Sequence, residues 1–313
     1  MIEVSNLLKT YPGVTAVDGL SFRVDKGEVV GFLGPNGAGK STTMRILTGF
    51  LSPTSGSASV AGFDVVEKSL EVRRRVGYLP ENNPLYTEMR VEEYLLFRAR
   101  VKGVERASRA AAVGAAIERV GLKERTRSII QHLSKGLRQR VGLADAILAD
   151  PEIVILDEPT IGLDPTQVRE ARELVRELGR ERTVLLSSHI LSEVEKVCRR
   201  VLIVARGKLV EQGTPEEIAG RLRTSSRVRM EVRAADGPAV KRAIEEIPTV
   251  ARVIHGAKGD LQQFLIEARE GADPREALYQ ACVAGGWALR ELAFERPTLE
   301  EAFTALTGGE AKA

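Results

Sequence analysis

A short glycine-rich segment constrains this chain more than any other feature of its 313 residues. Residues 34–41 read GPNGAGKS, which fits the pattern GxxxxGK[ST]. The apolar run EVVGFL comes directly before the segment, and MRILTGF continues after it as a helical pattern. This order of strand, loop and helix is the context in which the pattern binds phosphate groups. The sequence therefore predicts a phosphate-binding loop.

The residue types in this loop suit phosphate binding. Gly34, Gly37 and Gly39 allow unusual backbone dihedral angles, so that backbone N–H groups can surround phosphate oxygens. Lys40 is expected to place its charge on the β- and γ-phosphates, and Ser41 to offer its hydroxyl to Mg²⁺. The start of the following helix adds aligned amides to the anion site.

Two carboxylates follow a second apolar segment. Residues 153–156 read IVIL, a run without polar alternation that is typical of a central strand buried on both faces. Asp157 is expected to hold Mg²⁺ through its hydration shell, and Glu158 to orient or deprotonate an attacking water. A pair of surface acids is the plainer alternative, and the phosphate loop makes it the less favoured one.

The order of elements predicts an α/β fold, with a mostly parallel sheet covered by helices. Strands are expected at residues 20–25, 28–33, 153–157, 183–188 and 201–205. Residues 91–150 show helical patterns without a clear strand, which indicates a helical insertion in the α/β core. A helix that starts at Thr214 and Pro215 ends the first domain, which we assign to residues 1–220.

Residues 221–313 are predicted to form a second, smaller α+β domain. The expected strands are residues 226–234, 250–255, 261–268 and 287–294, and the expected helices are residues 238–247 and a helix opened by Asp273 and Pro274. This order, βαββαβ, is that of a ferredoxin-like domain. A last helix starts at Thr298, where Glu301 can complete a capping box. Its apolar stripe is expected to pack on the domain's own sheet or on a dimer mate.

Composition excludes several classes of protein. Apolar residues at 43%, charged residues at 28% and a net charge of +3 are close to the averages of soluble globular proteins, which argues against global disorder and a strongly basic nucleic-acid binder. No apolar stretch is long enough to span a bilayer and no signal-peptide pattern begins the chain, so a cytoplasmic chain is expected. Cys198 and Cys282 lie far apart, which predicts two buried free thiols.

Positive charge is concentrated in one region. Residues 98–140 contain 12 basic and 3 acidic side chains. Solvated helix faces are the plain interpretation of this excess. A surface that lies near anionic lipid headgroups or an acidic partner is the other interpretation.

Four further features accompany the phosphate loop and the two acids. Residues 133–140 read LSKGLRQR, residues 161–164 read IGLD, His189 ends the strand TVLLSSH, and Tyr11 precedes the first core strand. In order and spacing the whole set, which covers residues 1 to about 220, resembles the nucleotide-binding subunit of ATP-binding cassette (ABC) transporters. In that resemblance the four features correspond to the family signature, the D-loop, the switch histidine and the aromatic residue that stacks on adenine.

The resemblance implies a Mg²⁺-dependent ATPase that works as a homodimer or with a paired ABC ATPase subunit. His189 would contact the γ-phosphate, and Asp164 would lie at the dimer interface. Ser134, Lys135 and Gly136 would contact the γ-phosphate held by the other subunit, so two complete sites need two chains and two ATP molecules. The implied ATP-binding residues are Tyr11, Gly34, Pro35, Asn36, Gly37, Ala38, Gly39, Lys40, Ser41 and Thr42.

Two motifs depart from the family pattern. Residues 77–81 read GYLPE where the family usually has glutamine, so Glu81 would supply the oxygen that touches Mg²⁺ or water. The signature has Lys135 and Leu137 where Gly and Gln are commonest, and Lys135 adds a charge near the phosphates. The implied Mg²⁺ ligands are Ser41, Asp157 and Glu81, and the implied catalytic residues are Lys40, Glu158 and His189.

Both departures resemble the exporter branch of the family, which has separately encoded membrane subunits of the ABC-2 type and includes ATPases for gliding motility and for drug or polysaccharide export. Residues 295–303, ERPTLEEAF, and 306–308, LTG, are similar to the ending of that branch. The leading hypothesis is an ATPase subunit that energises export through a separate integral membrane permease. It would lie on the inner face of the cell membrane and have no nucleic-acid partner.

Two other hypotheses stay open. The βαββαβ pattern permits an importer ATPase whose C-terminal domain binds a small ligand and inhibits hydrolysis. The basic region permits a soluble ABC ATPase that acts on DNA or ribosomes. The sequence lacks the long coiled coil, the zinc cysteines and the second cassette that such soluble proteins usually carry.

Overall fold

The computed structural model describes residues 1–221, 227–258, 261–269, 271–295 and 298–307. The chain divides into a large unit, Met1–Pro215 with Phe303–Ala313, and a small unit, Glu216–Ala302. Within the described ranges, no helix has the length and apolar character needed to cross a lipid bilayer.

The large unit contains both sheets and helices. Its described strands are β1 (Ile2–Tyr11), β2 (Val14–Val24), β3 (Val29–Leu33), β4 (Ser55–Val60), β5 (Phe63–Asp64), β6 (Val76–Leu79), β7 (Ile153–Asp157), β8 (Thr183–Ser188), β9 (Arg200–Ala205) and β10 (Lys208–Gly213). Its described helices are α1 (Lys40–Leu47), α2 (Ser69–Arg75), α3 (Val91–Val101), α4 (Arg109–Arg119), α5 (Lys135–Ile147), α6 (Pro165–Glu181) and α7 (Leu191–Val194). Helix α8 (Pro215–Arg221) follows them.

The core of the large unit is a six-stranded sheet in the order β10-β9-β3-β8-β7-β6. Only β10 runs antiparallel to its neighbour, so the predicted mostly parallel sheet is confirmed. The strands β3, β7 and β8 are buried along their whole length, as continuous apolar sequences require. Because Leu33 pairs with Ser188 and Asp157 with Ser187, the carboxyl ends of these three strands lie at one edge of the sheet.

The large unit also has an antiparallel sheet that the sequence analysis does not predict, in the order β2-β1-β4-β5. Residues 20–25, placed among the strands of the parallel sheet above, belong largely to β2, which pairs with β1. Leu20, Phe22 and Val24 are buried on one face of β2 and join the same core as β3 and α1. The pattern is hard to recognise because irregularities in the β1–β2 register interrupt the period of two.

The region 91–150 consists of α3, α4 and α5 with two short 3₁₀ turns, Lys123–Arg125 and Ile130–His132. A partly buried ion-pair cluster joins two of the helices. Asp145 of α5 accepts from Arg98 Nε of α3 at 3.0 Å and lies 3.3 Å from Lys102 Nζ. Part of the predicted basic excess therefore serves helix packing rather than solvation.

The small unit has the expected ferredoxin-like topology. Its described strands and helices are β11 (Arg227–Arg233), α9 (Gly237–Glu245), β12 (Val250–Lys258), β13 (Leu261–Ala268), α10 (Arg275–Ala284) and β14 (Ala288–Glu295). The antiparallel sheet has the order β12-β13-β11-β14, so the predicted βαββαβ arrangement is confirmed. Val228, Met230 and Val232 of β11 alternate into a core shared with Val240 and Ile244 of α9.

The last described helix is α11 (Leu299–Thr307). Its capping box is present as predicted, because the backbone N–H of Thr298 and that of Glu301 each donate to the other residue's side chain at 3.2 Å. Arg227 of β11 donates to Glu301 at 3.0 Å, which ties the start of α11 to the sheet of the small unit.

The residues Ser226, Arg296, Pro297 and Gly308, which complete the predicted strand and tail motif, lie outside the described residues. Both cysteines are buried and free, as predicted.

Candidate active site

The phosphate loop connects the buried end of β3 to the first residue of α1. Gly37 and Gly39 have positive φ angles of 78° and 97°, the region that favours glycine. Gly34 is not among the residues with positive φ. A Cβ there would lie 2.4 Å from the carbonyl oxygen of Val204, so close packing requires glycine at this position. Gly37 and Gly39 thus adopt the predicted unusual dihedral angles, whereas Gly34 is required by close packing and not by its φ angle.

Lys40 lies inside the loop, with its side chain only 7% exposed. Its Nζ donates to the carbonyl oxygens of Gly34 at 2.8 Å and Pro35 at 3.3 Å. The same Nζ lies 3.5 Å from Glu158 Oε1. The loop therefore directs a buried ammonium group to the carboxylate that follows β7.

The remaining loop residues differ in exposure. Asn36 is exposed, Pro35 is half-buried and Ala38 is buried. Ser41 and Thr42 are half-buried in the first turn of α1, which contains no acidic residue that would oppose an anion. The turn thus offers hydroxyls and unpaired backbone N–H groups to a phosphate.

The two acids lie at the end of β7, next to β8. Asp157 is 1% exposed and Glu158 is 5% exposed. Glu158 has a φ of 50°, a left-handed conformation that is uncommon outside glycine. The chain therefore turns sharply after Asp157, and the turn sends the Glu158 side chain to Lys40.

His189 follows β8. It contacts one carboxylate oxygen of Glu158, and Lys40 lies nearest to the other. Its Nδ1 lies 2.8 Å from Glu158 Oε2, whereas Lys40 is nearest to Oε1. Because an ionised carboxylate can only accept, Nδ1 carries the proton in this bond. The imidazole is 44% exposed, which leaves its second nitrogen available to a ligand. The structure thus brings together Lys40, Glu158 and His189, the three predicted catalytic residues.

The oxygen donors of this site suit Mg²⁺ bound together with phosphates. No cluster of three or more His, Cys, Asp or Glu side chains that could hold a metal occurs in the described part of the chain. Mg²⁺ typically binds through one or two protein oxygens, with substrate phosphates and water completing its shell. Ser41 and Asp157 supply a hydroxyl and a carboxylate of this type.

Glu81, the third predicted metal ligand, lies exposed on the loop after β6. Glu81 makes no hydrogen bond with Ser41 or Asp157. Its charge does act on Tyr78 of β6. Burial, followed by the charge of Asp157 and with a smaller contribution from Glu81, raises the pKa of Tyr78 to about 12.

The signature and the D-loop lie next to each other. Ser134 caps α5 by accepting from the backbone N–H of Leu137 at 3.3 Å. The exposed Lys135 extends over Gly162 of the D-loop, where a Cβ would lie 2.3 Å from Nζ. Asp164 caps α6 by accepting from the backbone N–H groups of Thr166 and Gln167.

Gln167 is a residue of this region that the sequence analysis missed. Gly136 is buried beneath it, and a Cβ on Gly136 would lie 2.1 Å from Gln167 Oε1. The glycine therefore permits α6 and the signature helix to approach closely. Only the position of Gln167, three residues after Asp164 in the sequence, could have suggested this contact.

Tyr11 ends β1 and remains 43% exposed. Lys9 Nζ lies 5.4 Å above the centre of its ring. The exposed face of an aromatic ring with a cation nearby is suited to stacking on a planar base.

A separate groove of about 950 Å³ lies within the large unit. It carries five cationic side chains and one acidic one, namely Arg45, Arg73, Arg74, Arg98, Lys102 and Asp145. Phe50, Leu70 and Val101 also line it and are 77%, 65% and 59% exposed. Pro80 and Asn82, the neighbours of Glu81, form part of its wall. One loop therefore borders both the groove and the predicted metal ligand.

Comparisons with known proteins agree with this geometry. The family model described as "ABC transporter" matches residues 17–161. The bacitracin transport ATP-binding protein of Bacillus licheniformis is 40% identical over 214 residues, which are 68% of this chain and 69% of that protein. The linearmycin resistance ATP-binding protein of Bacillus subtilis is 31% identical over 310 residues, 98% of each chain.

Solved structures show the same fold. An ATP binding subunit of an ABC transporter has 33% identity and a TM-score of 0.65, covering 71% of this chain and 92% of that one. A dimeric bacterial ABC transporter cassette has 23% identity and a TM-score of 0.64, with 68% and 98% covered.

Proposed function

From the premise that this chain belongs to the ATP-binding subunits of the ABC transporter family, we propose that it hydrolyses ATP to drive export through a separate membrane permease. The observation that carries the proposal is the arrangement of Lys40, Glu158 and His189 at the end of the phosphate loop. A buried carboxylate between a cation and an imidazole suits the activation of water beside a phosphate.

The roles of the residues follow from their chemistry. Lys40 and the loop amides bind the β- and γ-phosphates, and Glu158 accepts a proton from the attacking water or orients it. His189, which donates to Glu158 through Nδ1, presents Nε2 to the γ-phosphate. Tyr11 stacks on the adenine. Bound through Ser41 and Asp157, Mg²⁺ would neutralise phosphate charge, and Glu81 would join this shell through its loop.

The exposed signature implies a second chain. Ser134, Lys135 and Gly136 bind the ATP held by the partner, and Asp164 lies at the shared interface. Support comes from the exposure of Ser134, Lys135 and Asp164, and the side chains of Ser134 and Asp164 cap the helices that follow them. The shared fold with a dimeric cassette also supports this arrangement.

The groove is the proposed contact for the permease. Its apolar side chains are exposed, and its cations outnumber its single acid. Such a surface suits an amphipathic segment that carries acidic residues. Because Pro80 and Asn82 line the groove and flank Glu81 in the same loop, movement of a bound segment would reach the ATP site through Glu81. The chain would then lie peripherally on the inner face of the membrane.

Export is favoured over import by the small unit. The linearmycin resistance protein matches 98% of this chain, so the similarity includes residues 221–313 as well as the ATPase region. Nod factor export ATP-binding protein I of Paraburkholderia xenovorans, a relative named for export, is 37% identical, with 69% of this chain and 72% of that protein covered.

The proposal is tested by hydrolysis and by capture of the permease. The purified chain should release phosphate from Mg-ATP. The tagged Glu158→Gln variant, loaded with Mg-ATP and incubated with detergent-solubilised membranes of its native cell, should retain a polytopic membrane protein at near-equal stoichiometry. Recovery of ribosomal or DNA-associated proteins alone would contradict the proposal.

A matched pair of substitutions locates the permease contact. Leu70→Asp in the groove should abolish capture, whereas Val283→Asp in the small unit should not, because the two side chains are equally exposed at 65%. Both positions tolerate a charge in solution, so ATP hydrolysis by the isolated variants should match the parent. Equal capture by the two variants would exclude the groove.

A further inference from the structure

One buried serine is hydrogen-bonded to both acidic residues of the candidate site, to the side chain of one and to the backbone of the other. Ser187, near the end of β8, is 0% exposed. Its Oγ lies 2.6 Å from Asp157 Oδ1 and 3.0 Å from the backbone nitrogen of Glu158. The next serine, Ser188, is also buried, but its Oγ accepts from the backbone N–H of Ile190 at 3.0 Å.

The chemistry of the three groups defines the direction of both bonds. An ionised carboxylate has no proton to give, so the Ser187 hydroxyl must donate to Asp157. A backbone N–H can only donate, so the same hydroxyl oxygen must accept from Glu158. The hydroxyl therefore uses its single proton and one lone pair in a directed chain that runs from the Glu158 amide to the Asp157 carboxylate.

This chain of hydrogen bonds lies at a backbone position with an uncommon conformation. Glu158 has a φ of 50°, a left-handed conformation that is unfavourable for residues other than glycine and that its surroundings must offset. The carbonyl oxygen of Ser187 accepts from the same N–H at 3.3 Å, so one residue anchors the turn twice. This backbone turn places the Glu158 side chain between Lys40 and His189.

We propose that Ser187 is a positioning residue for ATP hydrolysis, and this inference rests on the function proposed above. Its hydroxyl orients the Asp157 carboxylate toward the metal position and holds the turn that aims Glu158 at the γ-phosphate. Ser187 touches neither ATP nor water in this role. It acts through the two acids, as partners outside the ligand shell commonly do.

Ser187→Ala is the main test. The kcat for ATP should fall about 10- to 100-fold, the usual effect of removing such a partner. The Mg²⁺ concentration for half-maximal hydrolysis should rise, because the Asp157 carboxylate loses its orienting bond. Affinity for a fluorescent ATP analogue in EDTA should stay within about twofold of the parent, because the phosphate loop is untouched.

Two variants separate positioning from folding. Ser187→Thr keeps the hydroxyl and should restore most of the lost kcat. Ser188→Ala removes a buried hydroxyl one residue away and should leave both kcat and the Mg²⁺ requirement close to those of the parent. A readout without turnover is the rise in Tm when Mg²⁺ is added to the chain bound to a non-hydrolysable ATP analogue, which should shrink in Ser187→Ala alone.

The outcomes distinguish this inference from the proposed function. A parent chain that hydrolyses no ATP would overturn the proposed function. An active parent with unchanged kcat and Mg²⁺ dependence in Ser187→Ala would overturn only the role of Ser187. Equal losses in Ser187→Ala and Ser188→Ala, or a loss of ATP affinity in EDTA, would show a merely structural role and would also overturn it.

Discussion

The large unit carries two groups of motif residues, one at the phosphate loop and one at the signature and D-loop. They differ in how far each is organised within a single chain. At the phosphate-loop end, Lys40, Asp157 and Glu158 are 7%, 1% and 5% exposed and are joined by short bonds to their surroundings. At the signature end, Ser134 and Asp164 are exposed, and their side chains only cap the helices that follow them. One end is already organised within a single chain, and the other presents its groups outward.

The difference fits the function proposed for each end. Groups that stabilise charge in a reaction act best when they are held in place and shielded from water before the substrate arrives. Groups that recognise a ligand held by another chain must stay accessible until that chain arrives. We therefore interpret the chain as two half-sites, one buried and one open.

The largest expected effect concerns the buried half-site. Glu158→Gln removes the carboxylate but preserves the size of the side chain and the phosphate loop. We expect kcat to fall about 10²- to 10⁴-fold, the range for loss of a general base, with little change in ATP affinity. Phosphate release and nucleotide binding measure the two quantities. Glu177→Gln, on the exposed face of α6, is the control. Full turnover in Glu158→Gln would remove Glu158 from its proposed role.

Lys40→Ala should act on binding rather than on the chemical step alone. The buried ammonium donates to the loop carbonyls and would donate to phosphate oxygens in the bound state. Loss of a hydrogen bond to a charged group costs about 1.5–3 kcal/mol, so ATP affinity should weaken about 10- to 150-fold. Calorimetry with Mg-ATP measures the change. Unaltered affinity would contradict the assignment of this lysine.

Mixing two inactive variants sharpens the distinction between the half-sites. Glu158→Gln disables the buried half-site, and Ser134→Arg blocks the open one. In a mixed dimer one of the two composite sites is intact, so an equal mixture should recover about a quarter of parental turnover through random pairing. Each variant alone supplies the baseline. A mixture that stays at that baseline would argue against sites shared between two chains.

The smallest effect concerns Tyr78, beside the buried half-site. Its Oη is buried and has no hydrogen-bond partner among the described residues, so Tyr78→Phe should leave stability equal or raise it by about 1 kcal/mol. Because burial raises the pKa of Tyr78 to about 12, ionisation of the phenol should not affect parental stability below pH 10, and stability should fall as pH rises from 10 through 12. Tyr78→Phe should lack this alkaline loss. Denaturant unfolding between pH 7 and pH 11 tests both expectations.

Much of the site could be predicted from the sequence because each of its motifs consists of residues that are neighbours along the chain. The phosphate loop and the acids after β7 are contiguous motifs, and their residue types define the chemistry before any folding is considered. The tail cap at Thr298 and Glu301 is equally local, and the structure confirms it. The β1–β2 sheet was missed because half-buried strands with irregular register lack a clear period.

The sequence by itself determined the phosphate loop, the order of strands and helices in the small unit, and the identity of the groups that could bind ATP. Only the tertiary structure decided that Ser187 connects Asp157 to Glu158, that Gln167 covers Gly136, and that packing requires glycine at position 34. The physical reason is the range of the interactions. A motif is read from neighbours along the chain, whereas these contacts join segments that meet only when the parallel strands and the helices around them are assembled.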